Sequence, residues 1–261
     1  MTSKLAHIET LAVRCPNWVG DIVMATPVFE CLRQNLPGTC IVGVLKSNMQ
    51  AIVRDGPWFD VLVDGNDKSW AGFRRMRRQL RILAPDAALL LTNSLRSALT
   101  MRLSGIRQIY GYRRQWRDLL LTGGPTRAHN GTTDPIPTVQ EYLGICRWLG
   151  LDRPPELKPR LFFRAEIARR GAAFLAKYGI APGDFLLGLN PGASFGSSKC
   201  WPAESFAELA QLCQDRFAAK VILFCGPGES DIAQAILQQT RAHIIDTRAD
   251  PIDLELLKPL V

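Results

Sequence analysis

Short apolar runs alternate along the chain with longer stretches in which apolar residues recur every three or four positions. Leu11–Arg14 reads as a strand that runs into a loop from Cys15 to Gly20. From Asp21 to Asn35 the apolar residues fall at 22, 23, 25, 28, 29 and 32, the spacing of a helix with one buried face. Cys40–Leu45 and Asp60–Val63 read as strands. Ser69–Leu83 reads as a helix carrying Arg74, Arg75, Arg77, Arg78 and Arg81. The apolar run within Asp86–Leu91 has the character of a strand covered on both faces of a parallel sheet. A helix over Ser94–Leu103 and a strand over Gln108–Gly111 follow. Strands alternating with helices predict an α/β, doubly wound parallel sheet.

The alternation stops at Thr122–Pro137, a loop by its Gly, Thr and Pro content, and resumes in a helix over Thr138–Leu149. It stops again at the proline-rich stretch from Arg153 to Pro159. It then restarts with helix 166–178, strand 185–190, helix 203–217, strand 220–225, helix 230–239 and strand 243–246. Asp253–Leu260 opens a further helix. The restart predicts two Rossmann-like domains, residues 1–155 and 156–261.

Composition supports this division. A chain of 261 residues that is 47% hydrophobic can bury two cores. No apolar run of about 18 residues occurs and the first ten residues carry no apolar segment, so neither a membrane span nor a secretory leader is expected and the address is cytoplasmic. The seven cysteines, at 15, 31, 40, 146, 200, 213 and 225, show no C-x-x-C spacing, and only three histidines are present. Buried free thiols are expected rather than a zinc site. Charge changes the picture more. Residues 1–160 hold 22 Lys and Arg against 13 Asp and Glu, whereas residues 161–261 hold 10 against 11. A basic first half points to an anionic partner: nucleic acid, a membrane surface or an acidic glycolipid. The plain alternative is a solvated arginine-rich face.

Three strand-to-helix loops carry candidate chemistry. Pro16-Asn17-Trp18-Val19-Gly20-Asp21 follows the first strand, where ligands of open α/β sheets bind. Gly20 would permit a tight turn. Asp21 reads either as a base or as a first-turn acid that stabilises the helix. Asn190–Pro202 joins small residues, hydroxyls and Lys199 in one loop, the donor set a diphosphate needs, without the ending of a Walker A loop. Cys225-Gly-Pro-Gly-Glu229 ends the next strand, and Glu229 could accept ribose hydroxyls or cap the helix. There is no G-x-G-x-x-G and no D-x-D pair, and no histidine lies in these loops. Aromatic residues are sparse among the arginines, which argues against nucleic acid as a partner.

Together these loops resemble glycosyltransferase family 9. The resemblance rests on P-N-W-V-G-D followed by Ala25-Thr26-Pro27, on Leu91–Ser97, on Gly111-Tyr112-Arg113 with Arg117, Leu119 and Leu120, and on P-G-A-S-F-G-S-S-K-x-W-P. It implies the GT-B architecture, two Rossmann-like domains facing a cleft, with the second incomplete. It also implies inverting, metal-independent transfer of heptose from ADP-heptose, the donor substrate, to the lipopolysaccharide inner core, with no cofactor.

On this resemblance Asp21 is the general base and Lys199 stabilises the leaving diphosphate. Asn190, Gly192, Ser194, Ser197, Lys199 and Glu229 would bind the donor. Asn17, Trp18, Asn93, Arg96, Arg113 and Arg117 would bind the acceptor, and the arginines of 74–81 would meet its phosphates and acidic sugars. The implied partners are the ADP-sugar and the anionic glycolipid core, met by a monomer at the inner-membrane surface. The resemblance also implies a D-[TS]-G-x-x-H block and closing helices after Val261, and an arginine in place of Cys200. A non-catalytic relative that binds anionic glycolipid through its basic domain is the alternative.

Overall fold

The structure is a computed structural model that describes residues 3–126, 136–152, 158–193, 199–226 and 228–261. The chain forms two compact units, Met1–Phe162 and Phe163–Val261.

The first unit is a parallel five-stranded sheet of β1 (Thr10–Arg14), β2 (Cys40–Leu45), β3 (Val61–Asp64), β4 (Ala87–Leu90) and β5 (Gln108–Gly111), ordered β3-β2-β1-β4-β5. Its helices are α1 (Val19–Asn35), α2 (Gln50–Val53), α3 (Trp70–Leu83), α4 (Leu95–Leu103) and α5 (Thr138–Leu149). Side chains alternate across a strand, so β1 feeds two cores. Ala12 joins Val42, Val44, Ala88 and Leu90 beneath Phe73, Met76 and Leu80 of α3 and Ala98 and Met101 of α4. Leu11 and Val13, fully buried, face the other side. Right-handed crossovers leave β1 in one direction and β4 in the other, which puts α1 and α4 on opposite faces. There α1 packs against α5.

Local chemistry explains several boundaries. Ser69 and Ser94 cap α3 and α4, accepting hydrogen bonds from Gly72 N at 3.1 Å and Ser97 N at 3.2 Å. Pro27 lies inside α1 and cannot donate to the Val23 carbonyl, but Thr26 Oγ1 donates to that oxygen at 2.8 Å. The helix begins at Val19 rather than Asp21. Gly20 is therefore helical, and a Cβ there would meet nothing within 4 Å. It serves no tight turn. Residues 123–126 are not merely loop. They bridge to the outer edge of β5, with Gly111 N donating to Gly123 O and Arg113 N to Pro125 O. Two short helical pieces, Ser47–Val53 and Gln115–Leu120, lie where the sequence predicts none.

The second unit holds β6 (Leu186–Leu189), β7 (Lys220–Leu223) and β8 (Ile244–Asp246), parallel and in that order. Helices α6 (Ala165–Lys177), α7 (Ala203–Phe217), α8 (Ser230–Gln238) and α9 (Leu254–Leu257) cover it. Val221 and Leu223 pack with Ala207, Ala210, Ala233 and Ile236 of α7 and α8. Ile222, one residue out of phase, packs with Phe174, Ile245, Leu256 and Leu260 on the opposite face. The division between units falls after Phe162 rather than after residue 155. The segment before it belongs to the first unit, because Phe162 stacks edge-on against Trp58 and Arg160 N donates to Thr26 Oγ1. None of the seven cysteines is in a disulfide, and only Cys15, Cys31 and Cys146 are buried; the other four are partly exposed.

Candidate functional site

In the first unit the strand order reverses between β1 and β4, and the crevice beyond the carboxyl ends of such strands is the place for a ligand. The loops after β1, β4 and β5 converge there. Asp21 is the third residue of α1, half-buried, and its carboxylate has no hydrogen-bond partner among the described residues. Nearby is a cavity of about 280 Å³ lined by Leu91, Asn93, Tyr112, Arg114, Thr138, Glu141 and Tyr142. Burial pushes the Tyr142 phenol well above its ordinary value, and the charges of Asp21 and Glu141 push it further. The phenol therefore remains a proton donor at neutral pH. Tyr112 donates its hydroxyl hydrogen to the Glu141 carbonyl, and Arg114 pairs with the Glu141 carboxylate at 3.2 Å.

The structure distributes the predicted residues unevenly. Residues 112 and 114 share one side of the extended segment after β5 and line the cavity, whereas Arg113 points away and pairs with Asp118 at 3.2 Å. Arg113 is thus not a cavity residue; its neighbour Arg114 is. Arg117 is 2% exposed and donates to the Thr92 carbonyl at 2.7 Å and to Asn93 Oδ1 at 3.5 Å. Its Nε and Nη2 have no partner among the described residues. Burial, aided by Arg114 and opposed by Asp118, lowers its pKa to about 10, so it stays charged at neutral pH behind Asn93. An arginine so buried holds Asn93 rather than reaching out to a large acceptor. Asn17 is half-buried, and Trp18 is 46% exposed with Lys46 Nζ 5.9 Å from its ring. Asn93 is exposed, as is Arg96 in the first turn of α4.

Sequence reasoning missed Tyr112, Arg114, Glu141 and Tyr142 as a group. Their only sequence signal is the position of the first two directly after a strand and of the others in the first turn and a half of α5. It also missed Arg14, buried at the end of β1 against Asp67 at 3.3 Å, with desolvation lowering its pKa. Gly65 makes room for it, since a Cβ there would lie 1.9 Å from Arg14 Nη1.

In the second unit the loops after β6 and β7 meet. Glu229 Oε2 accepts a hydrogen bond from Gly226 N at 2.7 Å, while Oε1 lies against Gly192, where a Cβ would sit 1.8 Å away. Glu229 precedes α8 without a side-chain cap bond, so its carboxylate closes the loop rather than the helix. Thr247 joins the loops after β7 and β8, donating to the Leu223 carbonyl at 2.9 Å and accepting from Cys225 N at 3.2 Å. Asn190 is exposed at the end of β6, and Lys199 is exposed shortly before α7. Ser194 and Ser197 lie outside the described residues. Among the described residues no three His, Cys, Asp or Glu side chains are grouped to hold a metal ion.

Two parallel α/β units, each with its candidate polar groups at the carboxyl ends of its strands, define a protein of the GT-B class of Rossmann-like transferase folds. Residues 73–251 match glycosyltransferase family 9 (heptosyltransferase), and the chain belongs to that family. It is 25% identical over 229 residues to lipopolysaccharide heptosyltransferase 2 of Escherichia coli (strain K12), a match covering 85% of this chain and 65% of that protein. The chain thus spans just under two thirds of that relative's length. The same fold occurs in a glycosyl transferase family 9 structure from Veillonella parvula DSM 2008, with a TM-score of 0.76 and 21% identity over 92% of this chain and 68% of that one. It occurs also in the structure of E. coli ADP-heptose LPS heptosyltransferase II, with a TM-score of 0.74 and 23% identity over 95% of this chain and 75% of that one.

Proposed function

We propose that this chain is the heptosyl-transferring part of a lipopolysaccharide-assembling enzyme that moves heptose from ADP-heptose to the acidic inner core. Family membership and the names of the relatives support the reaction class. The observation that carries the mechanism is Asp21, a helix-start carboxylate with no hydrogen-bond partner among the described residues, close to a polar cavity at the switch point of the sheet. In this reading the acceptor hydroxyl lies in that cavity and gives its proton to Asp21 as its oxygen attacks the anomeric carbon. The bond from that carbon to the diphosphate breaks on the opposite face, so the configuration inverts and ADP departs. General-base assistance of this kind contributes roughly 10²–10⁴-fold.

Lys199 supplies positive charge to the departing diphosphate, and Asn190, Gly192, Ser194 and Ser197 are the further donor-binding residues of this reading. The Glu229 oxygen that does not bond Gly226 N accepts a hydrogen bond from a ribose hydroxyl. Asn17, Trp18, Asn93 and Arg96 contact the acceptor, and Arg117 holds Asn93. No metal or cofactor takes part. The protein acts as a monomer in the cytoplasm, peripheral to the membrane that carries its lipid acceptor. No helix among the described residues is long and apolar enough to cross that membrane.

Replacing Asp21 with Asn tests this directly. ADP release in the presence of acceptor should fall by about 100-fold or more, with ADP affinity and thermal midpoint unchanged and the native rate insensitive to a chelator. Undiminished turnover by Asp21→Asn removes the base assignment.

A further inference from the structure

The first unit carries a second basic surface that shares no residue with the cavity. Between Lys68 and Arg107 the chain has nine Lys and Arg and a single acid, Asp86. Asp86 is occupied at the amino ends of the strands, where it accepts from Glu9 N and Thr10 N at 2.9 Å. Helix α3 buries Phe73, Met76 and Leu80 and turns Arg74, Arg75, Arg78 and Arg81 to solvent. None of these four has an ion pair or hydrogen-bond partner among the described residues. The arginines line a shallow concavity of about 600 Å³ along the helix. Trp70 and Ile82, at the two ends of the same helix, are 72% and 77% exposed.

The neighbouring helix continues the surface in apolar form. Leu95, Leu99 and Leu103 stand four residues apart on one stripe of α4, and each remains roughly half exposed. Helical geometry sets Arg96 and Arg102 at the margins of that stripe. Trp116 and Leu119, in the short helical piece that packs on α4, are about four-fifths exposed. Helices α3 and α4 touch, and Arg77 Nε donates to the Leu103 carbonyl at 2.9 Å, so the row of charge and the row of leucines belong to one side of the sheet.

A solvated arginine face would be interleaved with acids, and a polyanion-binding groove has no use for an exposed leucine stripe. Uncompensated arginines beside half-exposed leucines and tryptophans match the boundary of an anionic bilayer. There apolar side chains enter beneath the headgroups and guanidinium groups pair with lipid phosphates. We propose that the α3–α4 side of the first unit is a docking surface for anionic phospholipid bilayers. Leu99, Leu103 and Trp116 enter the headgroup boundary, and Arg74, Arg75 and Arg78 hold phosphates. The proposal deepens the membrane-surface part of the function proposed above, but it does not depend on transfer.

The test is co-sedimentation of the full chain with vesicles of phosphatidylcholine containing phosphatidylglycerol, free of glycolipid and nucleotide. The native chain should bind these and not pure phosphatidylcholine. Arg74→Ala/Arg75→Ala/Arg78→Ala should weaken the partition on the order of 100-fold, at about fivefold per arginine. Leu99→Gln/Leu103→Gln, which leaves the charge alone, should weaken it by roughly tenfold. A triple change of equal charge in the second unit, Arg169→Ala/Arg216→Ala/Arg241→Ala, should leave it within about twofold. Circular dichroism confirms that each variant is folded.

Equal loss from both arginine triples would reduce the effect to net charge and overturn the proposal. So would absence of binding by the native chain, an inert leucine pair, or an affinity for duplex DNA that matches the vesicle affinity and ignores the leucines. Vesicle binding retained in a protein that fails to transfer heptose would sink the reaction assigned above and leave this surface standing.

Discussion

Gly20 and Gly192 both occupy loop motifs after strands, yet their surroundings set opposite demands. Around Gly20 a Cβ meets open space inside a helix, so Gly20→Ala should stabilise the chain by about 0.5–1 kcal/mol through reduced unfolded-state freedom, read in denaturant melts. At Gly192 a Cβ would overlap the Glu229 carboxylate. That carboxylate is the end of a flexible side chain, so Gly192→Ala should move it at small cost in stability while weakening ADP binding about tenfold by calorimetry. Unchanged ADP affinity would separate Glu229 from the nucleoside. The same scale shows where sequence reasoning failed. Arg113 and Arg114 are adjacent and chemically identical, and only the pleat after β5 decides that the second lines the cavity.

Among the elements, β8 ends in a compact ion pair. Arg248 donates to both oxygens of Asp246, by Nε at 3.0 Å and by Nη2 at 2.7 Å, and reaches the Ser230 carbonyl at the start of α8. These hydrogen bonds hold the Asp246 carboxyl below the usual carboxylate range. A depressed carboxylate stabilises the fold at pH above its unfolded value, about 4, and that contribution fades as pH falls through the folded value. Asp246→Asn should therefore melt below the native chain at pH 7, and the gap should narrow as pH falls below about 4. A gap independent of pH would assign the effect to packing instead. Long elements were legible from periodicity, and β2, β5, α5 and α7 begin and end where the pattern places them. The pieces at Ser47–Val53 and Gln115–Leu120 were not, because one or two turns hold too few residues to display a period.

At the scale of the molecule, each unit has its own core, and the first should fold alone. A fragment of residues 1–162 should unfold cooperatively, while a fragment ending at 155 should be less stable by about 2 kcal/mol. The shorter piece loses the Phe162–Trp58 contact, with ring centroids 5.2 Å apart, and the hydrogen bond from Arg160 to Thr26. Equal stability in urea would show that residues 158–162 contribute nothing to that core.

Alternating apolar periods alone determined the α/β class, the parallel character of both sheets and the approximate places of the long helices, because burial on two faces imposes those patterns on any such fold. The loop motifs likewise marked Asp21, Lys199 and Glu229 as candidates, since polar groups after buried strands must lie at the carboxyl edge. Tertiary structure alone decided the rest. It set the strand order that brings β1 beside β4, and it brought Tyr112, Arg114, Glu141 and Tyr142 to one cavity from two segments about 30 positions apart. It left Asp21 without a hydrogen-bond partner among the described residues while burying Arg117, and it put the leucines of α4 beside the arginines of α3. Contacts of this kind depend on which strands pair and which helix faces meet, and those choices follow from packing between segments that periodicity within one segment cannot encode.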